Sequence, residues 1–284
     1  MLHCLQNLAD AIHAIQPGLV FTIMEIGARP LGDQKESFHQ LTKLFPGSRI
    51  LAFELEENLC REINASAPEG VEYYPVALGR TEEQRLLYET VHPMCSSLYK
   101  PDNELLSRYN ELQVAMLKKY STVETVSIDH FMQVQGILDL DFVKIDIQGA
   151  ELDAFAGACS ALQRMVAIVS EVEFIPLYYK QPLFGDVCSF LTGQGFMFHK
   201  FLRICGRTLQ PTVIGDDPFY ATQHMWSDAM FIRELSGLPD LPTEKLLKLG
   251  LLAYLYQSPD VAFYCFSLVD ARLGSSLSDL LLGQ

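Results

Sequence analysis

A doubly wound α/β domain on a mainly parallel sheet is predicted by two features of the sequence. From about residue 20, short β-branched or aromatic runs alternate with helical periods, as strands joined by crossover helices do. Turn residues separate these elements, with Gly27 after the first run and Pro46-Gly47 after the helix that follows it.

In chain order, residues 21–26 form a first strand, and Phe38, Leu41, Leu44 and Phe45 recur at helical spacing behind it. Residues 49–54 are the second strand and 56–65 the second helix. Residues 71–76 are the third strand, with Pro75 marking its end or an edge position. The stretch 84–130 is less regular. It holds a strand-like 85–89, a polar 92–98 and a helix-like segment around 103–119, and long excursions of this kind often cover a ligand.

Residues 142–147 read as a buried central strand. Gly149-Ala150 opens a helix with Leu152, Phe155, Ala156, Cys159 and Leu162 on one face, and Glu151 and Asp153 fall in its first turn, where acids favour the helix dipole. A strand at 166–172, a helix carrying Phe184, Val187, Cys188 and Leu191, and a strand at 196–201 follow, and 228–233 suits a final antiparallel strand. A Gly- and Pro-rich linker at 237–242 precedes two helical stretches parted by Ser258-Pro259. Three regions result: an N-terminal helical segment (1–19), the α/β domain (20–236) and a C-terminal helical hairpin (237–284). The hairpin is too apolar for a solvated tether, so it packs on the main domain or on a second subunit, as in a homodimer.

Composition narrows the function. Apolar residues at 49% and charged residues at 20% exclude disorder as the main state. The net charge of −14 repels polyanions and speaks against nucleic acid as a partner. No stretch reaches the ~20 apolar residues of a membrane span, and no signal peptide is evident near Met1, so a cytoplasmic location is expected. Seven widely spaced cysteines without a CxxC pair read as reduced thiols.

Chemistry is expected at the carboxyl ends of the strands, where open α/β sheets bind ligands. Glu25 and Gly27 stand in the first strand and its turn, and Glu54 ends the second, where an acid can accept from both hydroxyls of a ribose. The turn is not GxGxxG, which disfavours a nicotinamide-dependent oxidoreductase. Lys144 and Asp146 interrupt an apolar run and need partners or a function, an ion pair that fixes the sheet being the structural alternative. Ser96 and Ser97 suit a helix cap or a ligand contact equally. Tyr178 and Tyr179 suit either an acceptor pocket or a packed loop. No clustered His/Asp/Glu spacing supports a metal, and none is assigned.

The run Asp141-Phe142-Val143-Lys144-Ile145-Asp146-Ile147-Gln148-Gly149-Ala150-Glu151-Leu152, with Val169-Ser170-Glu171-Val172-Glu173-Phe174 after it, resembles the signature of the FkbM family of S-adenosylmethionine-dependent methyltransferases. The likeness extends to the turn at 25–32, to Ala52-Phe53-Glu54, to residues 75–79 and 95–99, and to Gln181-Pro182-Leu183-Phe184. The resemblance implies a seven-stranded class I, Rossmann-like methyltransferase fold. It implies S-adenosylmethionine as cofactor, S-adenosylhomocysteine as product and a hydroxyl acceptor on a small molecule or glycan. The implied cofactor residues are Glu25, Gly27, Ala28, Glu54, Leu55, Ala77, Leu78, Ser97 and Asp146. Asp146 and Glu173 are the candidate catalytic acids, with His92 and His224 as alternatives. Two positions depart from the family pattern: Arg29-Pro30 in the first turn, and Gln148 where an acid is usual. They motivate the alternative of a protein that keeps the fold without catalysis.

Overall fold

The computed structural model describes residues 2–30, 36–217 and 219–282. Its ten strands are β1 (Thr22–Ile26), β2 (Arg49–Phe53), β3 (Val71–Tyr74), β4 (Ala77–Gly79), β5 (Glu83–Thr90), β6 (Leu117–Ser127), β7 (Phe142–Ile145), β8 (Ala167–Glu173), β9 (Phe196–Cys205) and β10 (Trp226–Arg233). Seven of them form one sheet in the order β3-β2-β1-β7-β8-β10-β9. All neighbours are parallel except β10, which runs antiparallel to both β8 and β9. The chain starts at β1, moves outward through β2 and β3, then crosses back to β7. That reversal opens a crevice between the carboxyl ends of β1 and β7, the place where such sheets bind ligands.

Alternation divides the sheet's side chains between two cores. Ile23, Phe142, Val169 and Met230 face a core completed by three helices: α1 (Leu2–Ile15) and the terminal pair, numbered below as α9 and α10. Met24, Ile26, Val143, Ile145 and Phe231 face the other core, with Phe131, Phe155 and Leu191. The helices between are α2 (Gln40–Leu44), α3 (Glu57–Asn64), α4 (Asn103–Leu106), α5 (Ile128–Val134), α6 (Glu151–Ala156), α7 (Cys159–Leu162) and α8 (Phe184–Gly193). The terminal hairpin is α9 (Thr243–Leu255) and α10 (Pro259–Leu273), followed by α11 (Asp279–Leu282). Every residue of α9 from Leu246 to Leu255 is buried, so this helix is interior and reads as apolar almost all round.

Three sequence expectations change. The region 103–119 is not one helix; it divides into α4, a 3-10 turn at Leu112–Ala115 and the start of β6. β6 pairs antiparallel with β5 and parallel with β4 in a separate sheet of three strands, and most of its side chains face solvent. Without a buried face it carries no apolar alternation to betray it. The third strand ends at Tyr74, and Pro75 separates it from β4 in the second sheet. The helix after Gly149 breaks at Gly157-Ala158, leaving Cys159 exposed, while Glu151 and Asp153 are buried. Of the two tyrosines for which the sequence leaves a pocket and a packed loop open, Tyr178 is buried and Tyr179 half exposed.

Candidate active site

A cavity of about 830 Å³ lies along the carboxyl edge of the large sheet. That is room for a ligand of cofactor size with space beside it. Strand ends form its floor: Ile26-Gly27 after β1, Phe53-Glu54 after β2, Asp146 after β7, Glu171 and Glu173 in β8. Residues 92–98 and 111–115 of the excursion between β5 and β6 form its wall, in the covering position expected for that segment. The wall is held by a small apolar cluster in which Leu106, Tyr109 and Leu112 pack with Tyr178 and Met225.

The first turn is set by backbone sterics. Gly27 has φ +81°, and a Cβ there would overlap the carbonyl oxygen of Asp146. Only glycine lets the ends of β1 and β7 come this close. Gly27 and Ala28 both donate their N–H to the Phe53 carbonyl, which ties the turn to β2. Arg29 reaches Glu54 at 3.5 Å and Glu56 at 3.0 Å, so this departure from the family pattern joins the first turn to the second. Leu31 and Gly32, the end of that motif, lie outside the described residues.

Glu54 accepts from the Glu56 N–H through Oε1 at 3.0 Å. Among the described residues its Oε2 has no hydrogen-bond partner. A ribose diol placed there would find a pre-oriented acceptor beside Leu55, Ala77 and Leu78, which also line the cavity. Glu25 and Ala28 do not line it. Glu25 instead accepts from His39 Nε2 at 2.7 Å, and Ala28 is buried behind the turn.

Beyond the first turn the floor is acidic. Glu171 is 9% and Glu173 3% exposed, and the nearby Glu151 is 2% exposed. One oxygen from each of Asp146, Glu151 and Glu171 falls within 4.8 Å of the others, a cluster hidden in the sequence because its members come from β7's end, α6 and β8. Gln148 holds it together. Its Nε2 donates to Asp146 at 2.8 Å and to Glu171 at 2.5 Å, while its Oε1 accepts from Tyr178 at 3.1 Å. This needs a left-handed backbone at Gln148, φ +59°, a strained conformation stabilised in part by Ser97, whose hydroxyl donates to the Gln148 carbonyl at 2.7 Å. Ser97 lines the cavity, but its hydroxyl is engaged by the protein.

The acids differ in protonation. Burial pushes Glu171 and Glu173 well above the ordinary carboxylate range, and neighbouring acids add to it. Burial likewise raises Glu151, to about 7. Burial would raise Asp146 too, but Lys144 at 3.3 Å and the Gln148 amide outweigh it and hold this group below its usual value. The floor therefore presents one carboxylate that its neighbours hold in the ionised form beside two that burial drives toward the protonated form. His92 lines the wall, whereas His224 lies against Phe174 and is absent from the lining.

This arrangement can hold a nucleoside at Glu54 and place a reacting group over the buried acids. A family model for the FkbM methyltransferase domain matches residues 14–198, most of the chain and nearly all of these groups. The chain belongs to the FkbM methyltransferase family. FkbM methyltransferases use S-adenosylmethionine, and the Oε2 of Glu54, without a partner among the described residues and beside an open cavity, fits its nucleoside. No curated protein matches this chain. Solved structures similar to it include a pericyclic reaction enzyme (11% identity, TM-score 0.33, covering 80% of this chain and 47% of that one). LepI in complex with S-adenosylmethionine gives 10% identity and a TM-score of 0.32, with 80% and 46% covered. The 23S rRNA methyltransferase ErmE gives 11% and 0.33, with 98% and 94% covered. The chain spans about half the length of the first two.

Proposed function

We propose that this FkbM methyltransferase acts on a hydroxyl oxygen of a small molecule or glycan moiety, in the cytoplasm, with residues 20–236 as its catalytic domain. The observation that carries the reading is Glu173, a buried carboxyl on the cavity floor next to the ionised Asp146.

When bound, S-adenosylmethionine supplies a methyl group made electrophilic by its sulfonium. An alcohol attacking that methyl must lose its proton as the new C–O bond forms, so it needs a nearby proton acceptor. Glu173 suits that role because burial makes its carboxylate a stronger base than one in water. A cation entering the pocket favours the ionised form of the acids around it, so the base becomes available where a positive charge is held. Asp146 stays ionised through Lys144 and supplies the fixed negative end of the site. The wall at 92–98 and 111–115 shields the reacting groups from water and helps align them. Gln148 does not leave the site without carboxyls, since Glu171 and Glu173 stand beside it; this favours catalysis over the non-catalytic alternative. The net charge of −14 supports an acceptor other than nucleic acid, and the free cysteines suit a reducing compartment.

The test is S-adenosylhomocysteine release with a panel of hydroxyl, amine and RNA acceptors, with product analysis. Methyl transfer to oxygen is expected. Glu173→Gln should lower kcat by roughly 10²–10⁴-fold with cofactor affinity nearly unchanged. Transfer to nitrogen or RNA would overturn the acceptor assignment, and an Asp146→Asn variant with unchanged turnover and cofactor affinity would remove the site.

A further inference from the structure

The far end of the cavity carries two arginines of a different kind from Arg29. Arg29 is paired with Glu54 and Glu56. Arg203 and Arg207, which also line the cavity, make no ion pair among the described residues. Arg207 donates only from Nη1, to the Gly206 carbonyl at 2.7 Å. Its Nε is buried and has no partner among the described residues. Glu111 and Asp217 are near enough for their charge to be felt, but neither pairs with it.

The Arg207 guanidinium is also fixed in place. Its carbon lies 4.7 Å from the centre of the Phe219 ring and 4.8 Å from that of Trp226. Contacts with two rings hold the planar group without using its N–H donors, so that, among the described residues, Nη2 and the second Nη1 hydrogen are left for a ligand. In a cavity whose charged lining is mostly acidic, Arg203 and Arg207 stand out as cations without an ion pair among the described residues, although Asp228 lies across the strand from Arg203.

Position assigns these arginines to the acceptor. They stand in and just after β9, four strand intervals from β1 in the order β1-β7-β8-β10-β9. At ~4.8 Å per interval this is ~19 Å, with the buried acids of β8 in between. A nucleoside held at Glu54 is a further interval away, on the opposite side of those acids.

We propose that Arg203 and Arg207 form an oxyanion-holding subsite, and that the acceptor is a small acidic molecule carrying a carboxylate or phosphate group. The inference rests on the methyltransferase reading of the same cavity. A planar guanidinium with free, parallel N–H groups matches the two oxygens of either group.

Trp226 is the single tryptophan of the chain and touches Arg207, so its emission reports on the subsite directly. The full chain, with and without S-adenosylhomocysteine, is titrated with glucuronate, glucose 6-phosphate and glucose at constant ionic strength. A saturable change in emission is expected with at least one acidic sugar and not with glucose, and the tighter of the two identifies the anion. Arg203→Gln and Arg207→Gln should each raise the half-saturation concentration at least about tenfold, with Arg207→Lys intermediate because it keeps the charge and loses the fork. Identical responses to acidic and neutral sugars, or identical responses of wild type and both Gln variants, would overturn the proposal. So would a saturable response confined to an RNA oligonucleotide. Calorimetry with S-adenosylhomocysteine separates the two readings: if the cofactor product fails to bind while the anion response persists, the methyltransferase reading falls and the anion subsite stands.

Discussion

Lys248 donates to both carboxylate oxygens of Asp141 at 3.0 Å, across 107 residues of sequence. Asp141 is 1% exposed and also accepts from Lys245 at 2.7 Å and from the Thr22 N–H at 2.9 Å. The contact pins α9 to the start of β7, behind the sheet edge that carries the cavity.

Removing the anion should cost more than removing one cation. Asp141→Asn removes the anion shared by Lys245 and Lys248 and leaves Lys248 only the half-exposed Glu244 at 2.6 Å, so a loss of about 3 kcal/mol is expected. Lys248→Met leaves Asp141 with Lys245 and the Thr22 N–H, so roughly 1–2 kcal/mol is expected. Urea unfolding of both variants measures the difference, and equal losses would show that Lys245 does not share the load.

Gly27→Ala should damage stability and cofactor binding together. The added methyl meets the Asp146 carbonyl, and the residue must keep φ +81°. A loss of ~2–3 kcal/mol or more is expected, with S-adenosylhomocysteine affinity falling as the strand ends part. Ala at Gly136, whose φ is +64° with open space around it, is the control. It carries the backbone strain without the clash, so its loss should be about 1 kcal/mol and its cofactor affinity unchanged. Thermal melts with and without the ligand distinguish the two.

Glu151 makes stability depend on pH in a known direction. Its folded-state pKa is raised from 4.5 to about 7, so the folded chain holds this proton more tightly than the unfolded one. Its contribution is whole below 4.5 and is lost as pH rises through about 7. Glu151→Gln mimics the protonated form and should match wild type at acid pH, then exceed it in melting temperature above pH ~7. A wild-type advantage that grows with pH would refute the assignment.

The residues differ in how openly the sequence declares them. Gly27, Glu54 and Asp146 end apolar strands, so pattern alone placed them at the sheet's ligand edge. Glu171 was readable as a strand residue and not as a partner of Asp146 and Glu151, because a cluster drawn from three elements has no spacing. Arg203 and Arg207 gave no signal: their meaning lies in missing partners, which only the folded chain reveals. β6 escapes notice because its exposed side chains follow no period, and Tyr178, open in the sequence between a pocket and a packed loop, is shown to be buried only by the packing around it.

Gln148 is the departure from the family pattern that the structure explains best. Its amide supplies donors to Asp146 and Glu171, and an acid at the same place would supply none when ionised. Gln148→Glu would add a further carboxyl to a cluster in which burial and neighbouring negative charge already raise Glu151 and Glu171, beside the ionised Asp146. The variant should lose roughly 2–4 kcal/mol at neutral pH, recover part of it at acid pH as the new carboxyl takes a proton, and recover part of it with millimolar Mg²⁺ or Ca²⁺ if four oxygens now bind a cation. Gln148→Ala loses the donors without adding charge, so its deficit should be smaller and indifferent to both pH and cation. Denaturant unfolding of the two variants across pH, with and without the metal, decides the matter. If Gln148→Glu loses nothing under any condition while Gln148→Ala is destabilised, the amide serves only to fill space, and the acid usual in the family would be tolerated here.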